Sequence, residues 1–229
     1  MSRILTHPSL PAPVMLRRSK LARRISIKID IAQRAATLVL PQRATQAHGL
    51  AFLNQHLDWL REKLAAMPEA RPFAPGVEIP LLGQPHILTP MPGARRGVWA
   101  EEGKIMVSGP AEFFSRRVAD FLKSEARRRV TDLAHPMAER IGRACSNIRV
   151  GDPKSRWGSC TRTGRLAFSW RLVLAPEQVL TYVVAHEVAH LREMNHSPKF
   201  WAWVRQLHDD IDTPRQWLKA NGGALYRYG

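Results

Sequence analysis

The stretch that decides the fold reads Tyr-Val-Val-Ala-His-Glu-Val-Ala-His-Leu and spans residues 182–191. Its apolar residues fill most positions, which predicts a buried helix. His186 and His190 are four residues apart, so they share one face of that helix, with Glu187 projecting to one side. Ionisable groups on a buried helix need partners. The spacing therefore favours two imidazoles on one metal ion over two hydrogen-bonded core histidines.

A third ligand is expected where the chain turns back after this helix. Glu193 lies seven residues past His186, about 10.5 Å along the axis, which is too far to share an ion easily. Asn195 tolerates the left-handed conformation that ends many helices, and Ser197-Pro198 is typical of a new helix start. His196 lies at this turn, so we expect it to fold back to the metal.

The spacing of the three histidines predicts a catalytic metal site. His186, His190 and His196 follow the His-x3-His-x5-His pattern of metzincin sites, although Glu193 stands where metzincins have glycine. Three imidazoles leave a fourth position for water, as a catalytic zinc requires. We therefore expect one Zn²⁺ ion, although imidazoles also bind other transition ions. Three further groups nearby are His208, Asp209 and Asp210. They could bind the metal or orient one of its ligands, but a solvated helix end is the simpler interpretation.

The rest of the sequence predicts an α+β fold. Strict alternation predicts a strand over residues 25–31 with a hairpin partner at 36–40, and apolar steps of three and four predict a helix over 45–67, ended by Pro68. Further elements are expected as short strands over 77–109, a long helix from Glu112 to a stop at Gly142, strands at 147–150 and 165–172, and helices opening at Pro176, Ser197-Pro198 and Thr213-Pro214. We expect two regions: residues 1–110, β-rich with one helix, and residues 111–229, which carry the metal site.

The net charge of +16 is concentrated in two basic blocks. Residues 1–50 hold nine Lys/Arg and one acidic residue, and residues 112–171 hold fourteen and six. These blocks can contact nucleic-acid phosphates or acidic partners, or they can be ordinary solvated surface. No nucleic-acid-binding motif accompanies them, so both interpretations stay open.

The sequence is typical of a soluble cytoplasmic protein. No apolar run approaches the roughly 20 residues that span a bilayer, and residues 1–10 lack the apolar core of a signal peptide. Two cysteines, Cys145 and Cys160, are fewer than a disulfide-held secreted domain usually carries. We expect two reduced thiols and no membrane partner.

Several motifs of the chain resemble those of a known family. They are Arg-Trp-Gly-Ser-Cys at 156–160, Phe-Ser-Trp-Arg-Leu at 168–172, the stretch 182–191, Asn-His-Ser at 195–197 with Phe200-Trp201, and the basic segment 17–20 leading to 25–27. Together they resemble the YgjP-like family of predicted metal-dependent hydrolases, zincin-type metallopeptidases related to the SprT-like and WLM groups. The resemblance implies a zincin-like catalytic domain, with a small mixed sheet and the HExxH helix, plus an N-terminal β-rich extension. It also implies His186, His190 and His196 as ligands and Glu187 as base.

The function that follows is a zinc-dependent hydrolase, most simply a metallopeptidase. Glu187 would take a proton from metal-activated water and pass it to the leaving amine. Strand 165–172 could pair with an extended peptide. Arg156 and Tyr182 are candidates to stabilise the oxyanion. The alternatives are a nucleic-acid-associated protease that uses the basic blocks to reach DNA-bound protein, a non-enzymatic zinc-stabilised binding module, and a hydrolase of non-peptide amides or esters.

Overall fold

The computed structural model describes residues 3–5, 10, 13–30, 35–67 and 69–229. The chain divides into two compact units, Met1–Glu69 and Ala70–Gly229. Within the described residues the fold is mixed α/β, with six α-helices and three small sheets that each combine parallel and antiparallel pairs. No helix in these ranges is long and apolar enough to cross a bilayer.

The first unit is a four-stranded sheet followed by two short helices. Its elements are β1 (Arg3–Leu5), β2 (Val14–Ser19), β3 (Ser26–Asp30), β4 (Ala35–Pro41), α1 (Gln46–Gln55) and α2 (Leu57–Ala65), with strand order β1-β2-β4-β3. The apolar face of the sheet packs against Leu53 and Leu60 of the helices. The predicted hairpin of β3 and β4 is confirmed. The predicted helix over 45–67 is interrupted at His56, which has non-helical backbone angles, and Ile31 and Pro68 lie outside the described residues.

The second unit begins with another four-stranded sheet. Its strands are β5 (Glu78–Leu81), β6 (Gln84–Met91), β7 (Val98–Glu101) and β8 (Lys104–Ser108), in the order β5-β6-β8-β7. A 3₁₀ turn at Ala111–Phe113 leads into the long helix α3 (Phe114–Arg140). Leu88 and Ile105 of the sheet share one apolar cluster with Val118 and Leu122 of α3. Because of this shared core, the division between the two units falls after Glu69, ahead of the predicted boundary at residue 110.

The third sheet and the last three helices form the other core of the second unit. The elements are β9 (Asn147–Gly151), β10 (Gly158–Cys160), β11 (Arg165–Ser169), α4 (Glu177–Ala189), α5 (Pro198–Leu207) and α6 (Asp212–Asn221). The strand order is β10-β11-β9. Leu166 and Phe168 of β11 are buried with Val130 of α3 and Val184 of α4. The sheet thus has one apolar face, which packs toward α3 and α4.

The predicted strand over 165–172 is wrong at its C-terminal end. β11 stops at Ser169, whose hydroxyl accepts a hydrogen bond from the backbone N–H of Arg171 at 3.3 Å and caps a 3₁₀ helix at Trp170–Leu174. The apolar alternation continues through this helix because Trp170 and Leu172 are buried in two different clusters. β11 also has β9 on one side and β10 on the other, so it has no edge for an extended peptide.

Candidate active site

Helix α4 is buried as its sequence predicts. Nine of its thirteen residues are buried, so only a narrow part of its surface is open. The helix ends at His190, and the chain then turns toward α5. Asn195 does not adopt the expected left-handed conformation. Its Oδ1 instead accepts a hydrogen bond from Ser197 N at 3.0 Å, and Ser197 caps α5. This turn brings His196 back toward α4.

The three predicted ligands lie together at the end of α4. The cluster contains one ring nitrogen from each of His186, His190 and His196, and these three atoms lie within 4.8 Å of one another. Nε2 of His196 is 3.1 Å from Nε2 of His186. Two nitrogens bound at about 2.0–2.1 Å to one tetrahedral ion are separated by about 3.3 Å. The donor set and this separation therefore fit a single ion of the size of zinc.

The surroundings of His186 and His190 favour the neutral form of imidazole, which is the form that binds metal. Nδ1 of His190 lies 3.0 Å from the backbone oxygen of Glu193, so an Nδ1–H donor leaves Nε2 as the metal-binding atom. Burial lowers the pKa of His190. Burial, together with the charges of His190, His196 and Arg215, lowers the pKa of His186 to about 4. Both imidazoles are therefore neutral at pH 7.

Glu187 is held tightly between α4 and β10. It is 7% exposed, and burial raises its pKa to about 7 against the opposing positive charge of Arg156. A Cβ at Gly158 would lie 2.5 Å from Cγ of Glu187 and 2.6 Å from Oε1. Real Cβ atoms essentially never approach other atoms so closely. Only glycine therefore lets β10 lie against this side chain.

The two weaker site candidates lie near the histidines in different settings. Arg156 is exposed, and its charge acts on Glu187. Tyr182 is 5% exposed, with its ring centroid 6.0 Å from that of His186 and 6.1 Å from that of His208. Burial raises the pKa of the Tyr182 hydroxyl. Their part in stabilising an oxyanion stays a prediction.

The other acidic and histidine groups nearby do not join the cluster. Oδ1 of Asp210 accepts hydrogen bonds from the backbone N–H groups of Asp212 at 3.0 Å and Thr213 at 3.1 Å. These bonds satisfy donors at the start of α6, so Asp210 has a local structural role. His208 packs against Tyr182 instead of the three clustered histidines.

Comparison with known proteins identifies the family. A family model described as the YgjP-like metallopeptidase domain matches residues 23–221. The chain belongs to the YgjP-like metallopeptidase family. The resemblance of the sequence motifs is thereby confirmed. Family membership implies a metal ion, and together with the three-histidine cluster it supports a metal-dependent peptidase.

One solved structure also resembles this YgjP-like chain. It is the crystal structure of the metallopeptidase zymogen of Pyrococcus abyssi abylysin. The two chains are 24% identical with a TM-score of 0.32, and the match covers 39% of this chain and 93% of that one. No curated protein matches the chain.

An aromatic pair, Phe200 and Trp201, packs against the histidines of the YgjP-like site; both belong to the sequence motifs, but the sequence does not predict their contact with the imidazoles. Phe200 is fully buried, and its ring centroid lies 4.4 Å from that of His190, 4.9 Å from that of His186 and 4.7 Å from that of His196. Trp201 lies 5.8 Å from His186 and 5.9 Å from His196 by the same measure. Phe200 and Trp201 therefore fix the rotation of the three imidazoles by packing. The sequence feature that could have indicated this role is that Phe200 and Trp201 follow shortly after His196.

Strand β10 presents a free edge beside Glu187. Among the described residues it pairs only with β11. The backbone oxygen of Trp157 accepts a hydrogen bond from Ser169 N, and Thr161 N donates to Arg165 O, so Trp157, Ser159 and Thr161 direct their backbone groups toward β11. By alternation, the N–H and C=O groups of Gly158 and Cys160 point to the open edge.

An ion pair between buried Arg171 and the partly exposed Asp152 anchors the loop that leads into β10. Arg171 is 4% exposed and donates from Nε to Oδ1 of Asp152 at 2.8 Å. Its Nη1 donates to the backbone oxygens of Leu225 and Tyr228. Arg171 thus fastens the segment before β10 to the C-terminal 3₁₀ helix, Gly222–Arg227. The sequence motif at 168–172 contained this residue, but its role depends on contacts that are distant in sequence.

Proposed function

We propose that this YgjP-like chain is a zinc-dependent metallopeptidase with a zincin-like catalytic domain. In the proposal, His186, His190 and His196 hold one Zn²⁺ ion and Glu187 is the general base. The observation that carries it is the convergence of one ring nitrogen from each of three imidazoles within 4.8 Å, next to the buried carboxylate of Glu187 on α4. Three nitrogen ligands with a remaining position for water are typical of catalytic zinc.

An ion bound there would polarise the scissile carbonyl and make a water molecule more acidic. The Glu187 carboxylate would accept a proton from that water as it attacks the carbonyl, and would donate the proton to the leaving amine as the C–N bond breaks. Its packing against Gly158 holds the carboxylate in one orientation. The charge of Arg156, which acts on Glu187, is available to a developing oxyanion.

The free edge of β10 is the proposed binding site for the peptide backbone. An extended peptide can add to a sheet edge through main-chain hydrogen bonds. The outward-facing N–H and C=O groups of Gly158 and Cys160 would make these bonds, and Gly158 contacts Glu187 directly. A peptide in this position passes the base and the histidines. This role replaces the one expected for strand 165–172.

The test is hydrolysis of a peptide library by the zinc-loaded protein and by Glu187→Gln. We expect the variant to retain one metal ion per chain and to lose cleavage. Glu139→Gln, an exposed substitution on α3, is the matched control and should cleave like the parent. A binding module stabilised by zinc would show no cleavage in any of the three proteins. Equal cleavage by Glu187→Gln and the parent would overturn the assignment of the base.

A further inference from the structure

Two cavities lie along strand β10, one lined by residues at its start and the other by Thr161, the residue that follows its end. The first has a volume of about 310 Å³ and includes Gly158 and Ser159 in its lining. The second has a volume of about 370 Å³ and includes Thr161 and His190. Each cavity therefore borders β10 and also includes a residue of the proposed active site, Arg156 in the first cavity and His190 in the second.

Both cavities are lined by arginines. Arg149 and Arg156 line the first cavity, and Arg143, Arg162 and Arg192 line the second. None of the five forms an ion pair with a residue that the structure describes. The cavities thus concentrate positive charge that no ion pair with a described residue neutralises, although the charge of Arg156 also acts on Glu187.

Among the described residues, one carboxylate lines these cavities, and it is already paired. Asp152, in the first cavity, accepts hydrogen bonds from Arg171 at 2.8 and 3.3 Å and from Lys154 at 3.2 Å. None of the described residues that line the second cavity is acidic. An anionic group entering either cavity therefore meets guanidinium groups without competition from a free carboxylate, which favours binding of acidic ligands.

The sheet geometry explains why the first cavity faces a bound peptide. Ser159 of β10, Ala167 of β11 and Arg149 of β9 are aligned in register across the sheet. They lie on the face opposite Leu166 and Phe168, which are buried. The small side chains of Ser159 and Ala167 leave the arginine accessible. Alternate side chains of a peptide added to β10 would project onto this same face.

We propose that the substrate is an acidic polypeptide, whose carboxylate side chains on the two sides of the scissile bond enter these two arginine-lined cavities. The inference rests on the proposed peptidase function. A peptide paired with β10 runs from Gly158, which lines the first cavity and lies against Glu187, to Thr161, which lines the second cavity together with His190. A peptide in this position passes Glu187 and His190, as the scissile segment of a substrate has to do. Nucleic acid bound to the same arginines is the competing outcome.

The experiment compares peptides that differ only in Glu or Gln at the positions flanking a cleavage site found with a library. We expect a higher kcat/KM for the Glu peptides, with a preference that falls as salt screens the charges. Arg149→Gln and Arg162→Gln should each lower the Glu/Gln preference about two- to fivefold, the size of an exposed ion pair. Arg205→Gln, an exposed arginine on α5 outside both cavities, should leave the preference unchanged.

A charge reversal makes the test sharper. Arg162→Glu should favour peptides with Lys in place of Glu on one side of the scissile bond. Equal cleavage of Glu and Gln peptides, with hydrolysis still lost in Glu187→Gln, would overturn the acidic preference and leave the peptidase intact. No cleavage of any peptide by the zinc-loaded parent would overturn both. Equal peptide cleavage combined with duplex DNA binding that Arg149→Gln and Arg162→Gln abolish would assign the arginines to nucleic acid instead.

Discussion

Gly158 and Glu187 are in direct contact, and the contact leaves no space for a side chain on β10. A Cβ at position 158 would lie 2.5 Å from Cγ and 2.8 Å from Cδ of Glu187. The glycine therefore fixes how closely the sheet edge approaches the carboxylate. Since the same strand offers its free edge to a peptide, this contact sets the spacing between the base and the proposed substrate backbone.

Gly158→Ala should displace the Glu187 carboxylate and reduce kcat/KM on the order of 100-fold, as misplacement of a catalytic group by about 1 Å does. Metal content should not change, because the three histidines are untouched. Gly93→Ala is the control, since a Cβ there meets nothing within 4 Å and Gly93 lines neither arginine-lined cavity. Equal losses in the two variants, or no loss in Gly158→Ala, would show that the contact does not position the base.

Replacing Phe200 should loosen the metal site as well as the core. Phe200→Leu removes the ring that packs against all three imidazoles, so we expect weaker metal binding and a loss of about 1–3 kcal/mol in the free energy of unfolding. The control is Phe168→Leu. The ring of Phe168 is equally buried and belongs to the same apolar cluster, but among the described residues it makes no ring contact with the histidines. It should cost similar stability without changing metal affinity. Titration with a competing chelator separates the two effects.

The sequence predicts local features of this site better than its tertiary contacts. The four-residue spacing of His186 and His190 and the Ser197-Pro198 start of α5 depend on helix periodicity and capping, so they were predicted. The predicted strand over 165–172 is correct only as far as Ser169. Beyond it, Trp170 and Leu172 are buried in two different apolar clusters, and this burial produces the same apolar alternation as a longer strand. Strand β2 was not predicted, since its parallel pairing with β4 is not local.

The same reasoning explains why the sequence motifs contain Gly158 and Phe200 but do not predict their contacts with Glu187 and the histidines. The role of Gly158 depends on the distance between β10 and α4, and nothing in residues 156–160 encodes that distance. Phe200 is one of many apolar residues at helical spacing. Only the return of the chain after His190 brings its ring against the histidines.

The Asp152–Arg171 pair should make the protein's stability depend on pH in acid. Burial raises the pKa of Asp152, but hydrogen bonds and charge from Arg171 and then Lys154 outweigh it and hold the pKa below the ordinary 3.8. The pair therefore stabilises the fold fully above the unfolded-state pKa, and this contribution is lost as pH falls through the lower folded-state pKa. Denaturant unfolding of the parent and Asp152→Asn should show a stability difference that is constant near neutral pH and shrinks below about pH 4. A difference that grows on acidification would contradict the assignment.

Metal binding should stabilise the folded chain through the three histidines. A ligand that binds only the native state adds about 2.7 kcal/mol at 100 times its Kd. We expect zinc to raise the melting temperature of the chelator-treated parent and to have much less effect on His196→Ala. His135→Ala, which changes an exposed histidine on α3, should respond to zinc like the parent. If zinc raised the melting temperature of His196→Ala as much as that of the parent, His196 would not be a ligand of the metal.

Zinc-edge X-ray absorption of the loaded protein examines the coordination of the ion itself. We predict three imidazole nitrogens at about 2.0–2.1 Å with one further oxygen ligand, and one imidazole fewer in His196→Ala. A sulfur ligand at about 2.3 Å, or four imidazoles around the ion in the parent, would contradict an open three-histidine catalytic site.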